Sequence, residues 1–298
     1  MKQSISNFFY TREGTRIFYT KNFEEDGDDS KPILVFIYGL VCSNLHWSMQ
    51  LPFFDKLGFR ILLHDFRAHF SSGGSDKVED CTFANIVSDL YQLLCHIDPR
   101  GKFILISHSM GVNVALEFSK LHPEMVAGEV LISGAVVSPK EIMFDSNISE
   151  FTFPLVKWIN KTVPQTFKFI WKYGYMNPLA RMVVHTQGFN TNTVPEDFIT
   201  VYMKRISELP PELFFKLIEE MENHDIINHL ERIKTPSLII SGNKDKIIPN
   251  KYQQILHQYL ENSEFYLVKN GCHVPQVDYP DSINERILLF ISKLCHCP

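Results

Sequence analysis

The fold class is decided by the segment Ile104-Leu105-Ile106-Ser107-His108-Ser109-Met110-Gly111. An apolar run typical of a buried strand leads directly into Ser-x-Ser-x-Gly, and a helical pattern begins at Val112. A serine on such a sharp strand-to-helix turn projects from the sheet edge, and the next backbone N–H lies at the positive end of the helix. The pattern therefore indicates an exposed nucleophile. The competing interpretation is a serine that only caps the helix.

Six short segments are apolar at every position instead of at alternate positions, which is typical of strands buried on both faces of a parallel sheet. They are residues 33–37, 60–63 (apolar after Arg60), 103–106, 130–132, 238–240 and 265–268. A different set of segments, with apolar residues near the 3.6-residue helical period, comprises 83–96, 112–121, 252–260 and 283–294. This alternation predicts an α/β fold with a mostly parallel, doubly wound sheet. A β-hairpin is predicted before it, within residues 8–19.

The alternation of strands and helices is interrupted between residues 137 and 230, a stretch rich in Phe, Trp and Tyr without a strand pattern. A structureless loop of that length is improbable inside a compact domain. We therefore predict two units, a core formed by residues 1–136 and 231–298 and a helical insertion formed by residues 137–230.

The composition excludes several classes of protein. The chain has 298 residues, a formal net charge of −5 and 45% hydrophobic residues, as in ordinary soluble globular proteins. A balance of 29 basic and 34 acidic residues gives no electrostatic argument for a nucleic-acid partner. The N-terminus lacks the apolar segment of a signal peptide, and no apolar run is long enough to span a membrane, so we expect a cytoplasmic protein.

The sequence predicts neither a disulfide framework nor a metal or cofactor. Six cysteines in a chain of this length are too sparse for a disulfide scaffold. Cys295-His296-Cys297 supplies three potential zinc ligands but no fourth nearby, so a metal site there is not expected. The sequence carries no signal for an oligomeric state.

Two further polar residues follow predicted strands, as Ser109 does. Asp245 lies in the loop after the strand at 238–240, and His273 lies in the loop after the strand at 265–268. Because ligands bind at the carboxyl ends of parallel strands, these three residues are expected at one edge of the sheet. A hydroxyl, an imidazole base and a carboxylate that orients the imidazole are the groups that nucleophilic acyl transfer requires.

These motifs and their order along the chain resemble the α/β-hydrolase superfamily of serine hydrolases, in its capped esterase- and lipase-like branch. The resemblance extends from about Phe8 to Leu294 and is weakest in the insertion, which it identifies as a cap. It implies that Ser109 is the nucleophile, His273 the general base and acid, and Asp245 the orienting carboxylate. A serine at position 109 argues against the branches whose nucleophile is Asp.

The resemblance also implies an oxyanion hole. One donor is expected to be the backbone N–H of Met110, and the other that of Leu40, in the loop after the first buried strand. Tyr38 stands where the family usually has His, which puts the loop geometry in question. His64-Asp65-Phe66-Arg67-Ala68-His69-Phe70 resembles a family loop with glycines at positions 68 and 70, where non-glycine residues would be strained at positive φ.

Substrate contacts are predicted for Tyr38, Phe70 and His108, near the expected nucleophile. An aromatic-rich insertion favours a hydrophobic acyl substrate over a sugar or a phosphate. His64, His69 and His108 are alternative bases near the same edge. Alternative reactions with the same three residues are thioester hydrolysis, lysophospholipid or monoacylglycerol hydrolysis, carbon–carbon bond hydrolysis and acyl transfer. A non-catalytic ligand-binding protein on the same fold is the alternative of another class.

Overall fold

A computed structural model describes residues 4–24, 31–74, 76–136, 156, 158–190, 192–194 and 196–295. The described strands form one eight-stranded sheet in the order β1-β2-β4-β3-β5-β6-β7-β8. Their bounds are β1 Ile5–Tyr10, β2 Arg16–Lys21, β3 Ile33–Ile37, β4 Arg60–His64, β5 Phe103–His108, β6 Val126–Ile132, β7 Ser237–Gly242 and β8 Ser263–Val268. Strands β3 to β8 pair with one another in parallel, which confirms the predicted fold class.

The N-terminal hairpin extends this sheet with antiparallel strands. β1 pairs with β2, and β2 pairs in turn with β4, in a register that sets Tyr19 opposite His64. At the other end of the sheet, β8 is an edge strand, and Leu267 at its outer face is 43% exposed. The prediction that residues 265–268 are buried on both faces is therefore wrong: only Val268 of these four is buried, because this edge strand lies at the margin of the helices that cover the two faces.

Helices of the core cover both faces of the sheet. They are α1 Leu51–Lys56, α2 Phe83–Ile97 and α3 Met110–Leu121, followed after β7 by α8 Lys251–Tyr259, α9 Pro275–Asp278 and α10 Pro280–Cys295. Alternate residues of β3 pack into two separate cores: Val35 lies in the core beneath α2 and α3, and Phe36 lies in the core beneath α1 and α10. This division follows from the alternation of side chains along a strand.

The insertion between β6 and β7 is helical where the structure describes it. Its helices are α4 Pro164–Tyr173, α5 Pro178–Gly188, α6 Glu196–Ser207 and α7 Pro211–Asn223. Short 3-10 helices occur at Asn44–Trp47, Val78–Asp80, Pro123–Met125, Gly174–Met176 and Ile227–Arg232. The predicted domain boundaries stay predictions, since residues 137–155 lie outside the described residues, as do His296 and Cys297. No helix in the described ranges is long and apolar enough to cross a membrane.

Candidate active site

Ser109 occupies the turn between β5 and α3 in a strained backbone conformation. Its φ of 53° and ψ of −124° are rare for any residue other than glycine, and such strain persists only where the surroundings enforce it. The Ser109 N–H donates to the carbonyl oxygen of Ile132 at 2.9 Å. Gly111 allows α3 to begin against the end of β3, since a Cβ there would lie 2.6 Å from the carbonyl oxygen of Ile37. The turn thus projects the Ser109 hydroxyl at the carboxyl edge of the sheet.

The structure brings Ser109, His273 and Asp245 into one hydrogen-bonded chain. The Nε2 atom of His273 lies 3.2 Å from Oγ of Ser109, and its Nδ1 atom lies 2.9 Å from Oδ2 of Asp245. Because an ionised carboxylate only accepts hydrogen bonds, Nδ1–H is the donor to Asp245. In the neutral ring, Nε2 is then an acceptor that faces the serine hydroxyl.

Asp245 is held in place by the backbone of its own loop. Its Oδ1 atom accepts hydrogen bonds from the N–H groups of Ile247 and Ile248 at 2.9 and 2.8 Å, which leaves Oδ2 for His273. The side chain of Asp245 is fully buried. A buried carboxylate with fixed partners orients the imidazole without rearrangement during a reaction.

The loops that bear Asp245 and His273 lie directly against each other. At Gly242, the last residue of β7, a Cβ would lie 2.3 Å from the carbonyl oxygen of Cys272, so only glycine fits. Asp278 secures the second loop from below, where its Oδ2 atom accepts from the N–H of Cys272 at 2.7 Å. Burial raises the pKa of Asp278 to about 6.

The backbone after β3 passes next to Ser109. A Cβ on Gly39 would lie 2.9 Å from Cβ of Ser109, and Val41 follows with a positive φ of 45°. Among the described residues, no hydrogen bond outside the regular helices and strands uses the N–H of Leu40 or of Met110. The roles of these two N–H groups as oxyanion donors stay predictions.

Tyr38 and His108 are buried supports in this structure, which differs from the predicted substrate contacts. The Tyr38 hydroxyl accepts from the N–H of Phe66 at 2.8 Å, and the ring is closed off from solvent. The Nε2–H of His108 donates to the carbonyl oxygen of His273 at 2.9 Å. Burial lowers the pKa of His108 well below its ordinary value, and the nearby rings of His46 and His273 lower it further. Neither side chain presents an accessible surface, and each contacts the backbone of a neighbouring loop instead.

His46 is a buried neighbour of the site that the sequence reasoning missed. Its ring stacks on that of His108 at a centroid distance of 4.6 Å and contacts the ring of Tyr202, from α6, at 5.2 Å. Burial, and then repulsion from His273, lowers the pKa of His46 to about 3, so its ring is neutral at physiological pH. No local motif surrounds His46 in the sequence, and only the fold brings it to this position.

Two of the alternative bases lie elsewhere. His64 and His69 are buried, and burial lowers the pKa of each to about 4. The Nδ1 atom of His69 lies 3.0 Å from the carbonyl oxygen of Arg67, its own neighbour in the chain. Within the described part of the chain, His273 is the histidine that the structure hydrogen-bonds to Ser109.

The loop with Ala68 and Phe70 keeps positive φ angles of 61° and 39° although neither residue is glycine. Two contacts secure this loop. Arg67 donates two hydrogen bonds to the carboxylate of Asp89, at 2.6 and 2.7 Å, in a buried ion pair. The Phe70 ring lies 4.3 Å beneath the guanidinium of Arg205 in α6. Phe70 thus contacts the insertion, and its predicted contact with a substrate stays a prediction.

Comparison with known proteins shows to which family this chain belongs. The model of the α/β-hydrolase fold family matches residues 32–280, so the chain belongs to that family. The chain is 25% identical over 290 residues to the uncharacterized hydrolase YugF of Bacillus subtilis, with 95% of this chain and 96% of that protein covered. It is 24% identical over 298 residues to the bifunctional esterase/perhydrolase DCH of Acinetobacter calcoaceticus, covering 94% and 98% of the two chains.

A solved structure shows the same fold at low sequence identity. A putative aryl esterase from Burkholderia cenocepacia superposes with a TM-score of 0.77 at 17% identity, covering 97% of this chain and 99% of that one. The predicted resemblance to the α/β hydrolases is therefore confirmed.

Proposed function

We propose that the protein is a serine hydrolase that cleaves carboxylic esters of hydrophobic acyl groups through an acyl-enzyme intermediate on Ser109. The observation that carries this proposal is the hydrogen-bonded chain from Ser109 through His273 to Asp245. The similarity to the esterase/perhydrolase DCH supports the choice of an ester bond.

The geometry supports the following sequence of steps. His273 Nε2 takes the hydroxyl proton as Ser109 Oγ attacks the ester carbonyl carbon, and Asp245 stabilises the resulting imidazolium. The N–H groups of Leu40 and Met110 donate to the oxyanion of the tetrahedral intermediate. The imidazolium then protonates the departing alkoxide, which leaves the acyl group on Oγ. Water, activated by the same imidazole, releases the carboxylic acid and restores Ser109.

Support for an apolar acyl group comes from the side chains next to His273. Val274 belongs to a buried cluster with Phe189, Val194 and Ile199, all from the insertion. Tyr202 joins this cluster and reaches the ring of His46 on the other side. The insertion thus packs apolar side chains against the residue that follows His273, and we infer that this side of the site favours an apolar acyl group over a polar one.

Hydrolysis of p-nitrophenyl esters of increasing acyl length tests the proposal. We expect turnover that favours medium or long acyl groups over acetate, and we expect Ser109→Ala to lower kcat by about 10³-fold or more. Parallel assays with acyl thioesters, lysophospholipids and monoacylglycerols identify the preferred bond. An unchanged kcat in a folded Ser109→Ala variant would overturn the proposal.

A further inference from the structure

The segment from Phe151 to Pro195 is strongly basic in an acidic protein. It contains no Asp or Glu, while the whole chain carries a formal net charge of −5. Its basic residues are Lys157, Lys161, Lys168, Lys172 and Arg181. Lys168 forms an ion pair with Glu212 of α7 at 2.9 Å. Because no acidic residue lies among the other four cations in the sequence, the segment favours an anionic partner.

The same segment exposes large apolar side chains. Phe169 in α4 is 66% exposed, and Leu179 in α5 is 68% exposed. We name the following nine exposed residues the outer face: Trp158, Val163, Phe169, Ile170, Tyr173, Met176, Leu179, Met182 and Val183. Single exposed apolar residues are ordinary, but a group of this size on consecutive helices is typical of an interaction surface.

The outer face projects away from the rest of the insertion. Both α4 and α5 pack against α6. On their inner sides, Trp171 Nε1–H donates to the carbonyl oxygen of Leu209 at 2.8 Å, and Arg181 donates to the Thr200 hydroxyl at 3.2 Å. In α4, the rings of Phe169 and Tyr173 lie one helical turn apart, with centroids at 4.8 Å.

The outer face of α5 follows the helical period. Leu179, Met182 and Val183 have the i, i+3, i+4 spacing that places side chains on one side of a helix. The structure thus shows two consecutive amphipathic helices whose apolar sides are exposed and whose charged residues are all basic.

We propose that the outer face binds the surface of an anionic phospholipid bilayer. Helices that lie in a membrane interface combine an apolar side, which enters the headgroup region, with lysines that contact anionic headgroups. Lys172 reaches over the ring of Tyr173 at 5.7 Å, as expected for a lysine that keeps its ammonium at the headgroup level. A second copy of the chain fits this face less well, because it would bring one basic segment against another.

Binding in this orientation places the catalytic edge of the sheet near the membrane. Lys246, next to Asp245, donates to the carbonyl oxygen of Thr186 in α5 at 3.3 Å. Asn190, just after α5, donates to the carbonyl oxygen of Asn270 in the loop that leads to His273. The proposal goes beyond the hydrolytic function and does not depend on it, because docking needs neither Ser109 nor His273.

Vesicle sedimentation tests this proposal, with all proteins carrying Ser109→Ala so that lipid hydrolysis plays no part. We expect binding to vesicles of mixed phosphatidylglycerol and phosphatidylcholine, weaker binding to phosphatidylcholine alone, and release at high salt. Phe169→Ser/Leu179→Ser and, separately, Lys161→Glu/Lys172→Glu are expected to lower the partition coefficient by about tenfold or more. These side chains are exposed, so the fold is expected to survive.

Matched control variants change the same residue types elsewhere on the surface. Leu121→Ser/Leu289→Ser and Lys56→Glu/Lys102→Glu are expected to bind as well as the parent protein, since these exposed positions lie outside the insertion and away from the loops at the catalytic edge. Equal binding by the outer-face variants and the controls would overturn the proposal. A parent protein that binds neither kind of vesicle would overturn it as well. Analytical ultracentrifugation without lipid tests whether a second copy of the chain binds the outer face instead. If the protein is a dimer that Phe169→Ser/Leu179→Ser dissociates, and if it does not bind vesicles, the outer face is a self-association surface.

Discussion

The backbone of Gly111 lies against the carbonyl oxygen of Tyr38, where a Cβ atom would approach to 2.6 Å. This contact joins the start of α3 to the loop after β3, which are the two segments that bear the predicted oxyanion donors. Met110 directly precedes Gly111, and Leu40 lies two residues after Tyr38. We therefore expect this contact to fix the spacing between the N–H groups of Met110 and Leu40.

Gly111→Ala is expected to destabilise the fold by about 1–3 kcal/mol, because neither carbonyl oxygen facing the new methyl group can move freely. We also expect a lower kcat, since the displaced helix would carry the N–H of Met110 with it. Thermal or urea unfolding together with ester hydrolysis measures both effects. Gly174→Ala is the matched control, because Gly174 has a helical φ of −59° and nothing within 4 Å of the added Cβ. If both variants behave alike, the contact between Gly111 and Tyr38 does not shape the site.

Asp245→Asn is expected to lower kcat by about 10⁴-fold while the protein stays folded. An amide in place of Oδ2 would donate to His273 and favour the tautomer that cannot accept the serine proton. Asp55→Asn is the control, since Asp55 lies in α1, away from these loops, and the amide oxygen can still accept from the side-chain N–H of Asn22. We expect a much smaller loss of kcat for this control. Equal losses in the two variants would argue against the assigned role of Asp245.

Glu129 predicts a pH dependence of stability that is independent of catalysis. It is buried in β6, where its carboxylate accepts from the hydroxyls of Ser119 and Ser237 at 2.7 and 2.8 Å. Burial raises its pKa from 4.5 to about 7. The folded state therefore binds this proton more tightly than the unfolded state, so stability falls as the pH rises from 4.5 to 7 and does not recover above 7.

Glu129→Gln is expected to remove that part of the pH dependence and to raise the free energy of unfolding at pH 8 by about 2–3 kcal/mol. The amide keeps an acceptor for Ser119, and Ser237 can turn its proton to the carbonyl oxygen of Thr235, 2.9 Å away. Urea unfolding of both proteins between pH 5 and 8 gives the comparison. If the free energy of unfolding changes with pH in the same way for the two proteins, Glu129 does not titrate in this range.

Much of the fold was predictable because each of the six parallel strands contains a short apolar run, a local signal that is present in the sequence. The Ser–Asp–His order was equally accessible, since each residue directly follows a strand. The pairing of β2 with β4 had no such signal, because it joins residues that are far apart in the chain. Helix α1 was missed for another reason: Leu51–Lys56 is too short to show a helical period.

The side chains around Ser109, His273 and Asp245 were harder to predict than these three residues. Tyr38 and His108 lie next to the expected catalytic groups in sequence, yet packing turns both side chains inward. His46 shows the reverse case, because it lies far from these three residues in the sequence, in the short 3-10 helix Asn44–Trp47, yet its ring stacks on that of His108 beside the site. In both cases the position of the side chain depends on tertiary contacts, which a single sequence does not specify.

Labelling with a fluorophosphonate tests whether Ser109 is a nucleophile that His273 activates. The reagent bonds its phosphorus to an activated serine oxygen as fluoride leaves, and the base accepts the hydroxyl proton. We expect peptide mass spectrometry to locate the label on Ser109, Ser109→Ala to abolish it, and His273→Ala to slow labelling by orders of magnitude. A label on another residue, or an unchanged labelling rate in a folded His273→Ala variant, would show that Ser109 and His273 do not have these roles.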